Sequence, residues 1–125
     1  MDYASFLAAY ETMTPEERAA YWRKEQRDEQ RDTLRTLFTL TKLNNWFIAW
    51  TKRWLTKAKF DFEAGLLSED EFRNMLLLGA ETIQSNEEAN AYLRREVAHY
   101  TKYPIGTEKR RQFIKQQARR AHYGN

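Results

Sequence analysis

Apolar residues recur at helical spacing along most of this chain. Tyr3, Phe6, Leu7 and Tyr10 repeat at i, i+3, i+4 and i+7, which places them on one face of a short first helix. No stretch alternates apolar and polar residues for long enough to predict a strand. The pattern therefore predicts an all-α protein.

The start and the end of a long central helix can both be located in the sequence. Residues 14–17 read Thr-Pro-Glu-Glu, which supplies an N-cap threonine, a proline at the first helical position and a glutamate three residues after the cap. No glycine or proline follows before Gly65, which is a natural C-terminal stop. We expect one long helix, kinked or continuous, to about Ala64; the alternative is a break near residues 44–45.

Further helix starts follow in the second half of the chain. Ser68 and Glu71 form a capping-box pattern, and residues 85–88 (Ser-Asn-Glu-Glu) resemble another start. Residues 104–106 (Pro-Ile-Gly) break the chain, and Thr107 can cap a last helix. These signals predict a compact bundle of five to six helices, and the length of 125 residues predicts a single domain covering residues 1–125.

The composition narrows the class of protein. The chain has no cysteine, which excludes disulfides and thiolate chemistry and fits a reducing compartment. The longest apolar run has five residues (46–50), so no membrane span is expected, and acidic residues appear too early for a signal peptide. We therefore expect a cytoplasmic protein, in the producing cell or in its host.

The charge pattern gives the main functional clue. Residues 42–59 carry five basic and no acidic side chains, and residues 109–125 carry six basic and none acidic. The stretch between them (60–108) carries ten acidic and four basic side chains. Two acid-free basic blocks in one small chain favour a negatively charged partner.

No recognisable catalytic or metal-binding motif is present. The sequence has no glycine-rich phosphate loop and no nucleophile elbow. Glu96 and His99 match one Glu-x-x-His element of a di-iron bundle, but His122 lacks the corresponding glutamate, so the second element is missing. We therefore predict no cofactor, no metal site, no small-molecule substrate and no enzymatic activity.

The first basic block contains a tryptophan stripe. Trp46, Trp50 and Trp54 fall at i, i+4 and i+8. Three of the five basic side chains in this block are candidate contacts: Lys52, Arg53 and Lys57. We expect the tryptophans to form the core, because a small protein cannot easily leave such large apolar surfaces in water. The alternatives are aromatic anchors for a protein or nucleic-acid partner and, least favoured, a membrane interface.

The second basic block is predicted to be the last helix. Arg111, Lys115 and Arg119 fall on one stripe, opposite Phe113, at a spacing that could follow a phosphate backbone. The other candidate contacts in this block are Arg110 and Arg120. The alternative is a solvated helix face that balances the acidic residues 60–108.

Two function classes remain from these patterns. The first is a non-catalytic helical protein that binds nucleic acid through phosphate contacts, or that belongs to a nucleoprotein assembly. The alternative is an adaptor or inhibitor of the kind made by phages and other mobile elements, docking on an acidic surface of a larger partner. The sequence leaves the oligomeric state and the partner open.

Overall fold

The computed structural model describes residues 2–122, and 88% of this stretch is helical, with no strand in it. Four helices occur there: α1 (Tyr3–Glu11), α2 (Pro15–Glu63), α3 (Glu69–Lys102) and α4 (Glu108–His122). The all-α class and the single long central helix are confirmed. The predicted number of five to six helices is not confirmed.

The helices begin and end where local sequence signals place them. Thr14 and Glu17 bond reciprocally, each side chain accepting from the other's backbone N–H at 3.2 Å. Ser68 and Glu71 do the same at 3.1 and 3.2 Å. Gly65 adopts a φ of 78°, in the left-handed region that few other residues tolerate, and α2 ends just before it.

The helix start predicted at residues 85–88 lies inside α3. No glycine or proline stands between Gly79 and Pro104, so nothing in the backbone forces an end there. The Asn86 amide donates to the carbonyl of Thr82 at 2.9 Å, a bond made inside a continuing helix. An N-cap sequence can start a helix only where the preceding helix has ended, and α3 continues through residues 85–88.

The structure divides into two compact units. The terminal unit contains residues 1–34 and 99–125, of which residues 2–34 and 99–122 are described, and the hairpin unit contains residues 35–98. The single domain expected for residues 1–125 stays a prediction.

The terminal unit is held together largely by aromatic rings. Phe6 and Tyr10 of α1 pack on Tyr21 of α2, with ring centroids 5.6 and 6.3 Å away, and Trp22 donates its indole N–H to the Tyr10 hydroxyl at 2.9 Å. In the same unit, the side chain of Gln30 bonds to the connection between α3 and α4.

The hairpin unit pairs α2 with α3 in antiparallel directions. Most of the buried or half-buried α2 residues in this unit recur at alternating intervals of four and three, the spacing of a coiled-coil seam. They are Leu37, Thr41, Asn44, Ile48, Thr51, Leu55, Ala58 and Phe62. Contacts with α3 fix the register: Asn44 bonds to Asn90 at 3.0 Å, and the Phe62 and Phe72 rings stack 4.8 Å apart.

The seam of the hairpin unit contains little apolar volume. Its buried side chains are those of Thr51, Ala58, Asn90 and Leu93, together with Gly79 of α3. Asn90 uses both ends of its amide, accepting from Asn44 and donating to Asn45 at 2.8 Å. Because these groups are small or polar, the two helices can approach each other closely. Few large side chains are buried between them.

Candidate binding surfaces

One side of α4 is anchored within the terminal unit. The Phe113 ring stacks on Tyr103 with centroids 4.5 Å apart and meets the His99 ring edge-on at 5.0 Å. Thr107 caps the helix, its hydroxyl oxygen accepting from the backbone N–H of Arg110 at 3.3 Å. These contacts fix which side of α4 faces solvent.

Basic side chains cover the side of α4 opposite Phe113. We call Arg111, Lys115 and Arg119 the basic surface of α4; all three are exposed. Within residues 2–122, the side chains of Lys115 and Arg119 form no ion pair or hydrogen bond, and the same holds for the exposed side chain of Arg120. These cations therefore remain available to an external anion.

Arg110 and Arg111 have partners within the terminal unit. The Arg110 guanidinium donates to the Tyr103 carbonyl at 2.8 Å and lies 4.7 Å above the Tyr100 ring, so this half-buried residue holds α4 in place. Arg111 donates to the Glu108 carboxylate at 2.9 Å, but its side chain stays 57% exposed. Arg111 can therefore still contact a ligand, whereas Arg110 is committed to the fold.

The pKa of Glu108 lies below its ordinary value. The main cause is the hydrogen bond from Arg111, followed by one from the Gln112 side-chain amide, and the positive charge of Arg111 acts in the same direction. Because folding lowers this pKa, the ionised Glu108 carboxylate stabilises the first turn of α4 at pH values above the ordinary pKa of glutamate. That contribution is lost as the pH falls through the lowered pKa.

Arg111→Gln is expected to raise the pKa of Glu108 toward its ordinary value, because the substitution removes both the main hydrogen bond and the nearby charge. A carboxyl-carbon NMR titration of the folded protein measures this shift. Arg23→Gln, on an exposed part of α2, serves as the control. An unchanged Glu108 titration in Arg111→Gln would show that the ion pair does not set the pKa.

The second candidate surface is the tryptophan stripe of α2. Trp46 and Trp50 are 56% and 50% exposed, and Trp54 is half-buried. The expectation that these residues form the core is therefore wrong for Trp46 and Trp50. The reason is the seam: Ile48, Thr51 and Leu55 face α3, and the stripe lies on a neighbouring side of the helix.

Basic side chains border the tryptophan stripe. The side chains of Lys52 and Arg53 are exposed and make no ion pair or hydrogen bond with any residue in the described range. Lys57 is exposed too, and its ammonium group lies 3.2 Å from the Asp61 carboxylate, a pair of the weak surface type. Projected at 100° per residue, Arg53 and Lys57 lie next to the stripe, whereas Lys52 lies toward another side of the helix.

No candidate metal cluster occurs among the described residues, and the hairpin unit carries a groove. Among residues 2–122, no group of three or more metal-ligating side chains comes together. A shallow groove of about 370 Å³ on the hairpin unit is lined mainly by apolar groups such as Phe60 and Leu76, with Lys59 and Glu63 at its edge. No described helix combines the length and the apolar character needed to cross a bilayer.

Comparisons with known proteins assign this chain to no family. The chain matches no family model, no curated protein and no solved structure. The two candidate surfaces are therefore the basis of the proposed function.

The sequence indicates both candidate surfaces but not the packing around them. The alternating spacing of the seam was present in the sequence, and Leu37, Thr41 and Asn44 begin it. Two of these three residues are polar, so the pattern of apolar residues does not include them. The Gln30 bonds have no local sequence signal, because they join residues 70 and 75 positions apart. The Arg110 contact with Tyr103 spans seven residues, but it depends on how the chain turns between α3 and α4.

Proposed function

We propose that this protein is a non-catalytic helical protein that binds nucleic acid through phosphate contacts made by the basic surface of α4. The observation that carries the proposal is the pair Lys115 and Arg119, which are exposed and unpaired in the described range on a helix anchored from its opposite side. Residues four apart on a helix are separated by about 6 Å along the axis, so successive turns present successive charges.

The chemistry of α4 suits phosphate rather than base edges. Residues 108–122 carry six basic side chains and one acidic one, and Lys115 and Arg119 are long and exposed. Such groups contact phosphates of any sequence, and binding of this kind weakens steeply with salt because counterions are released. We therefore expect binding without sequence preference.

The double variant Lys115→Glu/Arg119→Glu tests the proposal by fluorescence anisotropy with labelled single- and double-stranded DNA at low salt. We expect affinity to fall at least tenfold, because two cations become anions. The salt dependence should also flatten, by a slope of about 0.9 for each phosphate that the protein no longer neutralises.

The matched control is Arg23→Glu/Lys24→Glu, which makes the same change of charge at exposed positions of α2 in the terminal unit. This control should retain most of the affinity. If the wild-type protein does not bind at low salt, or if both double variants lose affinity equally, α4 is not a phosphate-binding surface.

A second candidate function is an adaptor or inhibitor that docks on an acidic protein surface. The exposed Trp46 and Trp50, bordered by Arg53, favour it, because aromatic and arginine side chains are enriched at the centres of protein interfaces. This function replaces the first if wild-type protein fails to bind DNA and a purified acidic partner shields these tryptophans from acrylamide quenching.

A further inference from the structure

We propose that a second copy of this chain covers the tryptophan stripe, so that two hairpin units form a four-helix bundle. The proposal goes beyond phosphate binding and does not depend on it, because it concerns a different unit of the structure. Four features of the hairpin unit support the proposal. They are the position of its exposed apolar residues, the area of these residues, the small core of the unit and the charges of its helices.

A group of exposed apolar residues from α2 and α3 falls on one side of the hairpin. On α2, Leu43, Phe47 and Trp50 follow the same alternation of four and three as the seam, which makes a second seam beside the first. Projected at 100° per residue in the antiparallel register, Leu78 and Tyr92 of α3 lie toward the same side. Their exposed fractions are 58% and 55%. We call these residues, with Trp46 and Trp54, the tryptophan face.

The tryptophan face is large enough for a stable dimer. Each aromatic side chain can bury roughly 150–250 Å², so the exposed fractions of its side chains amount to roughly 600 Å² of apolar surface. A standard interface buries about 800 Å² on each partner, and homodimer interfaces are about two-thirds apolar. The face therefore supplies the apolar area that one side of such an interface needs.

The hairpin unit also lacks the core that two helices normally require. Its buried apolar side chains are Ala58 and Leu93 alone among residues 35–98. Helices in proteins gain most of their stability by burying an apolar face against other elements. A second hairpin on the tryptophan face would provide that burial with the same residues from both copies, as a two-fold interface demands.

The charges of α2 and α3 are complementary, which favours one particular arrangement. Residues 42–59 of α2 carry five basic and no acidic side chains, whereas residues 69–98 of α3 carry seven acidic and three basic ones. A two-fold axis parallel to the helices places α2 of each copy on α3 of the other, so that unlike charges meet. The alternative axis places α2 on α2, and like charges would then repel.

This arrangement predicts a specific ion pair. Leu55 stands beside Gly79, and Asn44 beside Asn90, so Arg53 stands level with Glu81 across the hairpin. A two-fold axis parallel to the helices preserves that level, which brings Arg53 of one copy toward Glu81 of the other. Both side chains are exposed, and neither makes an ion pair or hydrogen bond within residues 2–122.

Sedimentation equilibrium of the full chain over a hundredfold range of concentration tests the proposal. We expect the wild type to reach twice the chain mass of 15.1 kDa. Trp50→Glu should weaken association at least tenfold, because it places a charge at the centre of the interface. Phe60→Glu is the matched control: the same helix loses an exposed aromatic residue beside the groove, away from the tryptophan face, and association should persist.

A charge exchange separates the interface from a general effect on folding. Arg53→Glu and Glu81→Arg should each weaken association severalfold, and the double variant should recover most of the wild-type affinity. Far-UV circular dichroism monitors folding of every variant. In the wild type, acrylamide quenching of tryptophan should also fall as the concentration rises.

Three results would overturn the proposal. The first is a wild type that stays monomeric at every concentration. The second is a dimer whose stability does not change in Trp50→Glu. The third is shielding of the tryptophans only when DNA or anionic lipid vesicles are added. The Lys115→Glu/Arg119→Glu variant should remain dimeric, since α4 lies outside the hairpin unit. Loss of DNA binding and loss of association can therefore be distinguished.

Discussion

Gly79→Leu is expected to lower the free energy of unfolding by about 2 kcal/mol, because overpacking a close contact costs up to about 3 kcal/mol. A Cβ atom built on Gly79 would stand 2.6–2.8 Å from three carbon atoms of the Leu55 side chain, closer than real contacts allow. Leucine has a better helix propensity than glycine, by somewhat under ~1 kcal/mol, and this gain offsets only part of the cost. The helices of the hairpin unit must therefore separate or Leu55 must change its packing.

Urea denaturation followed by circular dichroism measures the effect of Gly79→Leu. Ala80→Leu is the control, because Ala80 is the exposed neighbour of Gly79 in α3 and a larger side chain there meets no close contact. Adding Leu55→Ala should make the combined loss smaller than the sum of the single losses, since the two changes share one space. A Gly79→Leu protein as stable as the wild type would mean that this close approach does not limit the hairpin.

Gln30→Ala is expected to cost about 2–3 kcal/mol, because it breaks two hydrogen bonds of a half-buried side chain. The Gln30 amide donates to the Tyr100 carbonyl at 2.9 Å and accepts from the Ile105 N–H at 2.8 Å. One side chain thus fixes both sides of the connection between α3 and α4. Without it, the backbone groups of Tyr100 and Ile105 lose their side-chain partner.

Hydrogen exchange of the Ile105 amide together with thermal unfolding tests the Gln30 prediction. Gln30→Glu keeps the length of the side chain and an acceptor for Ile105, but it cannot donate to Tyr100 when ionised, so an intermediate loss is expected. Glu29→Ala, at an exposed neighbouring position, should change little. Unchanged protection of Ile105 in Gln30→Ala would contradict this role.

The helix ends could be predicted because the interactions that make them are local. The reciprocal bonds of Ser68 and Glu71 join residues three apart, and the left-handed φ of Gly65 needs only the residue itself. The same kind of signal at residues 85–88 gave a wrong prediction of a helix start. The local sequence shows that a helix can start there, but it cannot show that the preceding helix has ended.

The side of α2 that faces α3 could not be predicted from composition. Trp46 and Trp50 have the larger apolar surfaces, yet Asn44 and Thr51 occupy the seam. Their positions depend on what α3 offers in return: the amide of Asn90 satisfies Asn44, and the missing side chain of Gly79 leaves space for Leu55. Such matches are properties of two distant segments, so a pattern read along one helix cannot reveal them.

The basic blocks could be predicted more fully than their individual roles. Lys115 and Arg119 are exposed as expected, because they lie opposite the apolar side of a short amphipathic helix. Arg110 lies on the Phe113 side of that helix and is committed to Tyr103 and Tyr100. Charge counting treats these arginines as equal, whereas tertiary contacts divide them into structural and available cations.

The small, polar seam of the hairpin unit has a thermal consequence. The heat capacity of unfolding rises with the apolar surface that becomes exposed and falls with the polar surface. A seam built around Thr51, Ala58 and Asn90 exposes little new apolar surface when its helices part. The stability of a single hairpin therefore changes gently with temperature, without the marked weakening on cooling that a large hydrophobic core would give it.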